Sequence, residues 1–490
     1  MLGGAASARG RDASERVGVN VARQCDIAVV GGGPGGYVAA IRAAQGGASV
    51  ILIEREHLGG TCLNVGCIPS KALLASAERL HELRSSAALG IRVTGEIGFD
   101  WAAVMNHKER TIRQLRGGVE ALVKSNGIEL IRGSATLMAR DRLRVASAEG
   151  SVEVAAKNII LATGSSEARP PIPGSDLAGV IGSAEALSLD AVPSSIAVIG
   201  GGALGCEFAS IYHHFGSRVT VIEMLPSLLP LEDADIGAAL GKSFARQGID
   251  VKVGAKVTGM ERAGEALRVG IEVNGQSLAI DAEVVLIAVG RVPNTEGLGL
   301  DRIGVTMDRR AIAVDAQMRT NVPGLWAVGD VTGKIMLAHV AMSEAEVAVD
   351  NALGGDREMD YGSVPSCTYT IPQAASVGLT EAKARAKGRA VKVGTFPFQA
   401  IGRAIAGRDT EGFVKVVADE KYGRILGVHV IHSRAGDLIE EAVVAMKLES
   451  SIEDLVAAIH PHPTLSEAIA EAALAVDDRA IHMPRVQRRA

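Results

Sequence analysis

The 490-residue sequence has few aromatic residues, few cysteines, little excess charge and no long apolar segment. Seven Phe, five Tyr and two Trp offer little for base stacking, and 51 Lys and Arg against 56 Asp and Glu leave a net charge of −5, so nucleic-acid binding is disfavoured. No stretch of about 18 residues lacks a charged or polar break, so we expect no membrane insertion. Five cysteines are too few for a secreted disulfide framework.

The first 24 residues lack the apolar core of a secretory signal. Their Arg, Ser and Ala content resembles that of a transit peptide, but Asp12 and Glu15 argue against one. We predict a disordered extension and a cytoplasmic protein, or a mitochondrial matrix protein if the extension is a transit peptide. The length of the chain allows about three domains.

Glycine is abundant, with 58 of 490 residues, and part of this glycine lies in an internal repeat. Residues 26–54 and 195–223 each contain a β-branched run, GxGxxG, an apolar stretch at helical spacing and a second β-branched run ending in Glu. The two copies align at a constant offset of 169: Gly31, Gly33, Gly36 and Glu54 with Gly200, Gly202, Gly205 and Glu223. This context is typical of dinucleotide binding, with pyrophosphate at the glycines and ribose at the acid. Two βαβ units whose glycines serve only packing are the alternative.

Two cysteines follow the first repeat in the segment GGTCLNVGCIPSK. Cys62 and Cys67 are separated by four residues, close enough for a disulfide if the chain bends. Cys67 is predicted near a helix start or kink, where N–H groups favour the thiolate, and Lys71 at i+4 adds positive charge on the same face. Zinc binding is disfavoured because no second cysteine pair has ligand spacing, and no metal is predicted. Isolated cysteines, predicted as core residues, are Cys25, Cys206 and Cys367.

The segment HPHPTLSE, residues 460–467, is a second candidate for chemistry. Exchange between thiols and disulfides needs a base that accepts a proton near neutral pH, and histidine meets this need. His460 and His462 are therefore candidates. The alternative is a capping box from Thr464 to Glu467, ahead of the helical run AIAEAALAV.

These motifs, with ATG, VGD and MLAH further along, resemble the class I pyridine nucleotide-disulfide oxidoreductases over about residues 25–480. The resemblance implies that Cys62 is the interchange thiol and that Cys67 is the thiol against a flavin. It implies that Lys71 lies beside the flavin and pairs with Glu207. A helix residue exposed to solvent is the alternative for Glu207.

The same resemblance implies that the first repeat binds FAD and the second NAD. The implied FAD-binding residues are Gly31, Gly33, Gly36, Glu54, Gly60, Thr61, Lys71, Gly133, Thr163, Gly164, Asp330, Met336, Leu337, Ala338 and His339. The implied NAD-binding residues are Gly200, Gly202, Gly205, Glu207, Glu223, Val257 and Gly290. The segment MLPSLLP after Glu223 has no Arg or Lys for a 2′-phosphate, which favours NAD over NADP.

The resemblance further implies an α/β fold with two Rossmann-like dinucleotide-binding domains and a C-terminal α+β interface domain. The predicted domains are residues 25–168 and 293–363 for FAD, 169–292 for NAD and 364–490 for the interface. In that domain His462 is implied as the base, oriented by Glu467 and reaching the thiols of the other subunit of a homodimer. Ile371 and Gln373 depart from the THPE that many relatives carry, which affects the expected contacts with partners.

The implied activity is NAD-dependent oxidation of dihydrolipoyl groups carried on other proteins. The implied partners are lipoyl-bearing domains and subunits of 2-oxo acid dehydrogenase or glycine cleavage complexes. A different disulfide or metal reductase of the same family is one alternative. A nucleotide-sensing scaffold subunit without enzymatic activity is another.

Overall fold

The computed structural model describes residues 23–484, and its first unit is a sheet built on the first glycine repeat. Its elements are β1 (Arg23–Val30), α1 (Pro34–Gln45), β2 (Val50–Glu54), α2 (Gly60–Val65), α3 (Cys67–Ser85), α4 (Trp101–Ser125), β3 (Glu129–Arg132), β4 (Ser134–Ala139), β5 (Arg142–Ser147), β6 (Gly150–Leu161) and β7 (Ser165–Glu167). The strands β3, β2, β1 and β6 run parallel in that order, and the apolar runs of β2 and of the second half of β1 are buried on both faces. β5 and β4 extend the sheet in antiparallel fashion.

The predicted extension, residues 1–24, lies outside the described residues except at its end. Arg23 and Gln24 pair with Val154 and Ala155 of β6. They belong to the first strand because their backbone groups continue its ladder, so the predicted boundary after residue 24 is wrong by these two residues.

The second unit repeats this architecture around the second glycine motif. Its elements are β8 (Val180–Ile181), α5 (Ser183–Ala186), β9 (Ser195–Ile199), α6 (Ala203–His214), β10 (Arg218–Ile222), α7 (Ala234–Gln247), β11 (Asp250–Lys252), β12 (Ala255–Ala263), β13 (Ala266–Val273), β14 (Gln276–Ala282), β15 (Val284–Ile287) and β16 (Arg291–Pro293). A parallel sheet has the order β11-β10-β9-β15-β8, and β12, β13 and β14 form an antiparallel sheet beside it. Phe208, Tyr212 and Phe244 are fully buried in the core under the parallel sheet.

The chain then returns to the first unit. Its elements are β17 (Met307–Asp308), β18 (Ala311–Ile312), β19 (Leu325–Ala327) and α8 (Ala338–Ala352). β19 pairs in parallel with β6, and α8 packs on α1. The second unit is therefore inserted in the first. The chain leaves the first unit through β7 and returns through β16, and these two strands pair in antiparallel fashion. The predicted boundary between residues 292 and 293 falls inside β16, because this strand and β7 together form the two-stranded connection between the units.

The C-terminal unit is an antiparallel sheet covered by helices. Its elements are β20 (Pro365–Thr368), β21 (Gln373–Gly378), α9 (Glu381–Ala386), β22 (Val391–Pro397), α10 (Gly402–Gly407), β23 (Phe413–Asp419), β24 (Ile425–His432), α11 (Ala435–Lys447), α12 (Ile452–Ala457) and α13 (Glu467–Ala475). The strand order is β20-β21-β24-β23-β22. Gln373 accepts a hydrogen bond from the Gly436 N–H at 3.0 Å, so its amide bonds within this unit. Among residues 23–484 no helix is long and apolar enough to cross a membrane.

Candidate active site

The first and third glycines of each repeat are required by close backbone contacts. Gly31 and Gly200 have φ of +103° and +111°, a backbone region that residues other than glycine rarely adopt. A Cβ on Gly36 would lie 1.7 Å from the Gly31 carbonyl oxygen, and one on Gly205 would lie 1.9 Å from that of Gly200. Both glycine turns therefore bring the following helix against the preceding strand.

The middle glycines face open space at a helix N-terminus. A Cβ on Gly202 would have no described atom within 4 Å, and one on Gly33 would meet only the Gly60 Cα, at 3.9 Å. Among the described residues, no side chain caps the N-terminus of α1 or α6, so their first N–H groups can receive an anion. The residues present fit the pyrophosphate of a dinucleotide at each turn.

Glu54 and Glu223 occupy equivalent positions beside these turns. Each carboxylate is buried and accepts two backbone N–H bonds of 2.6 to 2.7 Å, from Gly32 and Glu56 for Glu54, and from Gly201 and Leu225 for Glu223. The carboxylates are thus fixed where the ribose of a bound dinucleotide is expected.

A further repeat, not recognised as one from the sequence, lies beside both glycine turns. The Ala162 N–H donates to the Val30 carbonyl at 2.8 Å, and the Ala288 N–H donates to the Ile199 carbonyl at 2.8 Å. Each alanine is followed two residues later by a glycine with positive φ, Gly164 at +70° and Gly290 at +120°. The segments AxG at 162–164 and 288–290 are the signal that could have revealed it.

The other residues predicted for FAD surround the first glycine turn. Gly60 has φ +54°, and a Cβ there would lie 2.7 Å from the Gly33 Cα, while Thr61 follows it exposed on α2. The Gly133 N–H donates to the Glu54 carbonyl at 3.0 Å. The Thr163 hydroxyl donates to the Asn294 carbonyl at 2.8 Å, which holds the segment before Gly164.

Asp330 and the start of α8 complete this region. The Asp330 carboxylate accepts a hydrogen bond from the Ser165 hydroxyl and lies 3.8 Å from the Arg291 Nε. Met336 and Leu337 precede α8, Ala338 begins it, and His339 Nε2 is hydrogen-bonded to the Pro365 carbonyl at 2.9 Å. The sequence analysis missed Arg291, although it follows Gly290 directly.

Val257 is placed differently from the glycines of its predicted site. It lies on β12, opposite Ile271 of β13, and packs partly buried against the core between the two sheets. Its backbone is joined to the acid of the repeat through Ala255, whose N–H donates to the Glu223 carbonyl at 2.9 Å. A role in NAD binding stays a prediction for this residue.

Cys62 and Cys67 are brought together at the junction of α2 and α3. Cys67 is the first residue of α3, as predicted, and a Cβ on Gly66 would lie 2.9 Å from the Thr61 carbonyl oxygen, so glycine permits the bend. A hydrogen bond from Cys62 lowers the pKa of Cys67 to about 7, and Lys71 adds to this effect. The same hydrogen bond, together with burial, raises the pKa of Cys62. Cys67 is therefore the more acidic thiol of the pair.

Lys71 reaches across to the second unit. Its Nζ donates to both oxygens of Glu207, at 2.7 and 2.8 Å. Glu207 lies on α6 with only 5% of its surface exposed, so the alternative of an exposed helix residue is wrong. The ion pair connects α3, which begins with Cys67, to α6, which follows the second glycine turn.

His462 and Glu467 form a pair in the C-terminal unit. His462 Nδ1 lies 2.8 Å from Glu467 Oε1, and Glu467 Oε2 accepts the Thr464 N–H at 2.9 Å. Burial acts to raise the pKa of Glu467, but the bond to His462 holds it below its ordinary value. Since α13 begins at Glu467 with Ser466 as its N-cap, the capping box from Thr464 is not formed. His460 instead bonds Glu441 at 2.7 Å.

The His462 imidazole is 76% exposed, and within residues 23–484 it makes no hydrogen bond to either thiol of its own chain. Cys206 is buried, as predicted, whereas Cys25 and Cys367 are only partly buried. In the described part of the chain, no group of three His, Cys, Asp or Glu residues is arranged to hold a metal ion.

Two family models match the chain in the order of these units. Residues 25–345 match the pyridine nucleotide-disulphide oxidoreductases, and residues 364–473 match the dimerisation domain of that family. The chain belongs to the pyridine nucleotide-disulphide oxidoreductase family. It is an α/β flavoprotein oxidoreductase that uses FAD and NAD, as the resemblance implied.

Individual relatives narrow this class. The chain is 43% identical to a dihydrolipoyl dehydrogenase of Chlamydia muridarum over 94% of this chain and 98% of the relative. It is similar in structure, with a TM-score of 0.84 and 30% identity, to LpdA of Mycobacterium tuberculosis, over 92% of this chain and 99% of that one. The Cu(II) complex of the HOCl-induced flavoprotein disulfide reductase RclA of Escherichia coli gives a TM-score of 0.83 at 30% identity, with the same coverage.

Proposed function

We propose that the protein oxidises dihydrolipoyl groups to the lipoyl disulfide and transfers the electron pair to NAD⁺. The observation that carries this proposal is the asymmetry of the thiol pair, in which Cys67 is the thiolate beside Lys71 and Cys62 is the neutral thiol. When Cys62 and Cys67 form a disulfide and a substrate thiolate attacks the Cys62 sulfur, Cys67 leaves. A cysteine whose thiol has a low pKa is the better leaving group in such an exchange. The 43% sequence identity to two dihydrolipoyl dehydrogenases supports the same function.

The exchange begins with Cys62 and Cys67 as a disulfide. A thiolate of the dihydrolipoyl group attacks the Cys62 sulfur, the bond between Cys62 and Cys67 breaks, and Cys67 leaves as the thiolate that Lys71 stabilises. The second lipoyl thiol then loses its proton and attacks the first sulfur, the bond between that sulfur and Cys62 breaks, and Cys62 leaves and takes up a proton as the lipoyl disulfide closes. Two electrons have moved from the substrate to the cysteine pair. Bound FAD supplies the path for this electron pair from the thiols to NAD⁺.

Proton transfer is assigned to His462. The attacking substrate thiol must lose its proton, and an imidazole with one nitrogen fixed by Glu467 can accept that proton on the other. Since His462 is exposed on the unit that matches a dimerisation domain, we assign it to the thiols of the partner subunit in a homodimer. Glu467 fixes the tautomer by its bond to Nδ1.

The predicted roles at the nucleotide sites are part of the same proposal. The first glycine turn, Glu54 and Asp330 bind FAD, because the thiol pair begins on α2, which is packed against that turn through Gly60 and Gly33. The second turn and Glu223 bind NAD. The Lys252 carbonyl accepts a hydrogen bond from the Glu223 N–H. The Lys252 ammonium, however, pairs with Asp250 at 2.9 Å and not with the Glu223 carboxylate.

The physiological substrate we propose is a lipoyl-bearing domain of another protein. Subunits of a 2-oxo acid dehydrogenase or glycine cleavage complex are the partners, in the cytoplasm or in a mitochondrial matrix. Reduction of another disulfide or of a metal ion such as Cu(II) is the competing activity, since the similar RclA is a disulfide reductase whose structure is a Cu(II) complex.

Steady-state assays with three substrates separate these functions. NADH formation from free dihydrolipoamide and NAD⁺ should exceed NADH-dependent reduction of oxidised glutathione or Cu(II) by at least about 100-fold, which corresponds to about 3 kcal/mol. Cys62→Ser should abolish the first reaction, and Cys25→Ala should not, since Cys25 lies on β1 away from the thiol pair. Preference for either competing acceptor would contradict the proposal.

A further inference from the structure

Tyr369 lies against the ion pair of Lys71 and Glu207 but comes from the C-terminal unit. It is the residue directly after β20. The Lys71 Nζ lies 4.5 Å from the centroid of the Tyr369 ring. The Tyr369 backbone N–H donates to Glu207 Oε1 at 2.9 Å. The ammonium of Lys71 is therefore held between a carboxylate and an aromatic face.

The position of Lys71 matters for Cys67, which lies one turn earlier on α3. The Lys71 side chain is 33% exposed, whereas that of Glu207 is 6% exposed. Water weakens the field of a charge, so the stabilisation of a thiolate depends on where the ammonium is held and how hydrated it is. An aromatic ring attracts an ammonium to its face and excludes water from that side.

We propose that Tyr369 is a positioning residue for the thiol pair, whose ring holds the Lys71 ammonium where it stabilises the Cys67 thiolate. The inference deepens the proposed function, because it rests on Cys67 being the thiolate of the redox pair. It also links the C-terminal unit, which supplies His462, to the helix that carries Cys67. The backbone N–H of Tyr369 holds Glu207 as well, and that contact remains in any side-chain variant.

The titratable groups around this contact come from several elements. They are Tyr37 on α1, Cys62 on α2, Cys67 and Lys71 on α3, Glu207 on α6, Glu232 before α7, Cys367 on β20, Asp437 on α11 and Tyr369. Burial raises the pKa of Cys367 to about 12 and that of Tyr369 to about 12. The pKa of Tyr37 is raised by burial too. A thiol titration near neutral pH therefore reports on Cys67.

The test is the pH dependence of the long-wavelength absorption that a thiolate gives beside oxidised flavin. The holoenzyme is reduced with one equivalent of dithionite, and wild type is compared with Tyr369→Phe, Tyr369→Leu and Tyr369→Met. Tyr369→Phe keeps the ring and should keep the midpoint. The Leu and Met variants should raise the pH midpoint of the absorption. At one pH unit below the wild-type midpoint, their absorption should therefore be about threefold weaker than that of wild type.

A variant cycle with Lys71→Met tests whether the ring acts through the ammonium. In that background Tyr369→Leu should leave the midpoint unchanged. The proposal is overturned if Tyr369→Leu and Tyr369→Met titrate like wild type, if Tyr369→Phe shifts as far as they do, or if the shift persists without Lys71. Loss of FAD from both aliphatic variants would show a structural role and would also overturn it. No dihydrolipoamide is used, so failure of the proposed function would appear separately, in turnover.

Discussion

The Lys71 ammonium and the Glu207 carboxylate form an ion pair across 136 residues of sequence, with both distances below 3 Å. The pair joins α3, which begins with Cys67, to α6, which follows the second glycine turn. Because Glu207 is buried, its charge depends on Lys71 for compensation. The ion pair thus affects the electrostatics of the thiols and adds to the apolar packing of α3 on α6.

Removal of Lys71 should shift the titration of Cys67 upward. The pKa of Cys67 is lowered to about 7 by Cys62 and Lys71, so the thiolate should be about 90% formed at pH 8 and about 10% at pH 6. In Lys71→Met the cation is lost and the negative Glu207 remains, so the midpoint should rise by about one unit or more. The absorption of the reduced holoenzyme against pH measures this. Lys124→Met, an exposed change near the end of α4, is the matched control, and an unchanged midpoint in Lys71→Met would contradict the assignment.

Nucleotide preference should follow Glu223. A 2′-phosphate beside this buried carboxylate would meet a like charge, so kcat/KM should favour NAD⁺ over NADP⁺ by at least about 100-fold. Glu223→Gln should narrow the ratio, because it removes the repulsion and keeps one oxygen acceptor. The exposed change Glu272→Gln should leave the ratio alone. Equal values for the two nucleotides in wild type would refute the argument.

Stability should depend on a buried lysine between the second and C-terminal units. Lys415 Nζ lies 2.8 Å from Asp233, 2.6 Å from Asp235 and 3.0 Å from Glu381, and its side chain is 4% exposed. Lys415→Met leaves Asp233 buried without its partner and should lower the free energy of unfolding by about 3 to 5 kcal/mol. Arg246→Met breaks only the exposed pair with Glu411 and should cost less than about 1 kcal/mol. Denaturant unfolding of the holoenzyme gives both values, and similar losses would contradict the role of burial.

The same cluster predicts a pH dependence. Burial acts to raise the pKa of Asp233, but the bond from Lys415 holds it below its ordinary value. A carboxyl whose pKa is lowered on folding contributes stability above its unfolded pKa, about 3.9, and loses it as the pH falls further. The contribution of Asp233 to the stability of wild type should therefore decline as the pH falls below about 4, and denaturant unfolding of wild type at a series of pH values measures it.

Sequence patterns predicted the parts of the site that depend on local geometry. The strand, turn and helix of each glycine repeat are local, and so is the helix start at Cys67, because a few adjacent residues determine them. The pairing of Lys71 with Glu207 was available only from family resemblance, because no local pattern records a contact between residues so far apart. Tyr369 and Arg291 were missed for the same reason. Their positions depend on how separate units pack.

A mixture of two inactive variants should test the placement of His462. In a dimer of Cys62→Ser and His462→Ala subunits, one site carries both defects and the other neither. Random exchange makes half of the dimers mixed, so about one quarter of wild-type turnover should return. Mass spectrometry of the intact dimers verifies the exchange. If mixed dimers form without activity, His462 does not serve the partner's thiols.

The most direct test of the account follows a single electron pair through the thiols without oxygen. One equivalent of dihydrolipoamide, added without NAD⁺, should produce the long-wavelength absorption of the Cys67 thiolate, and one equivalent of NAD⁺ should then remove it and yield about one NADH per FAD. In Cys67→Ser with FAD bound, neither signal should appear, whereas Cys25→Ala should behave like wild type. NADH formation by Cys67→Ser at the wild-type rate, or no absorption change in wild type, would contradict the claim that this cysteine pair carries the electrons.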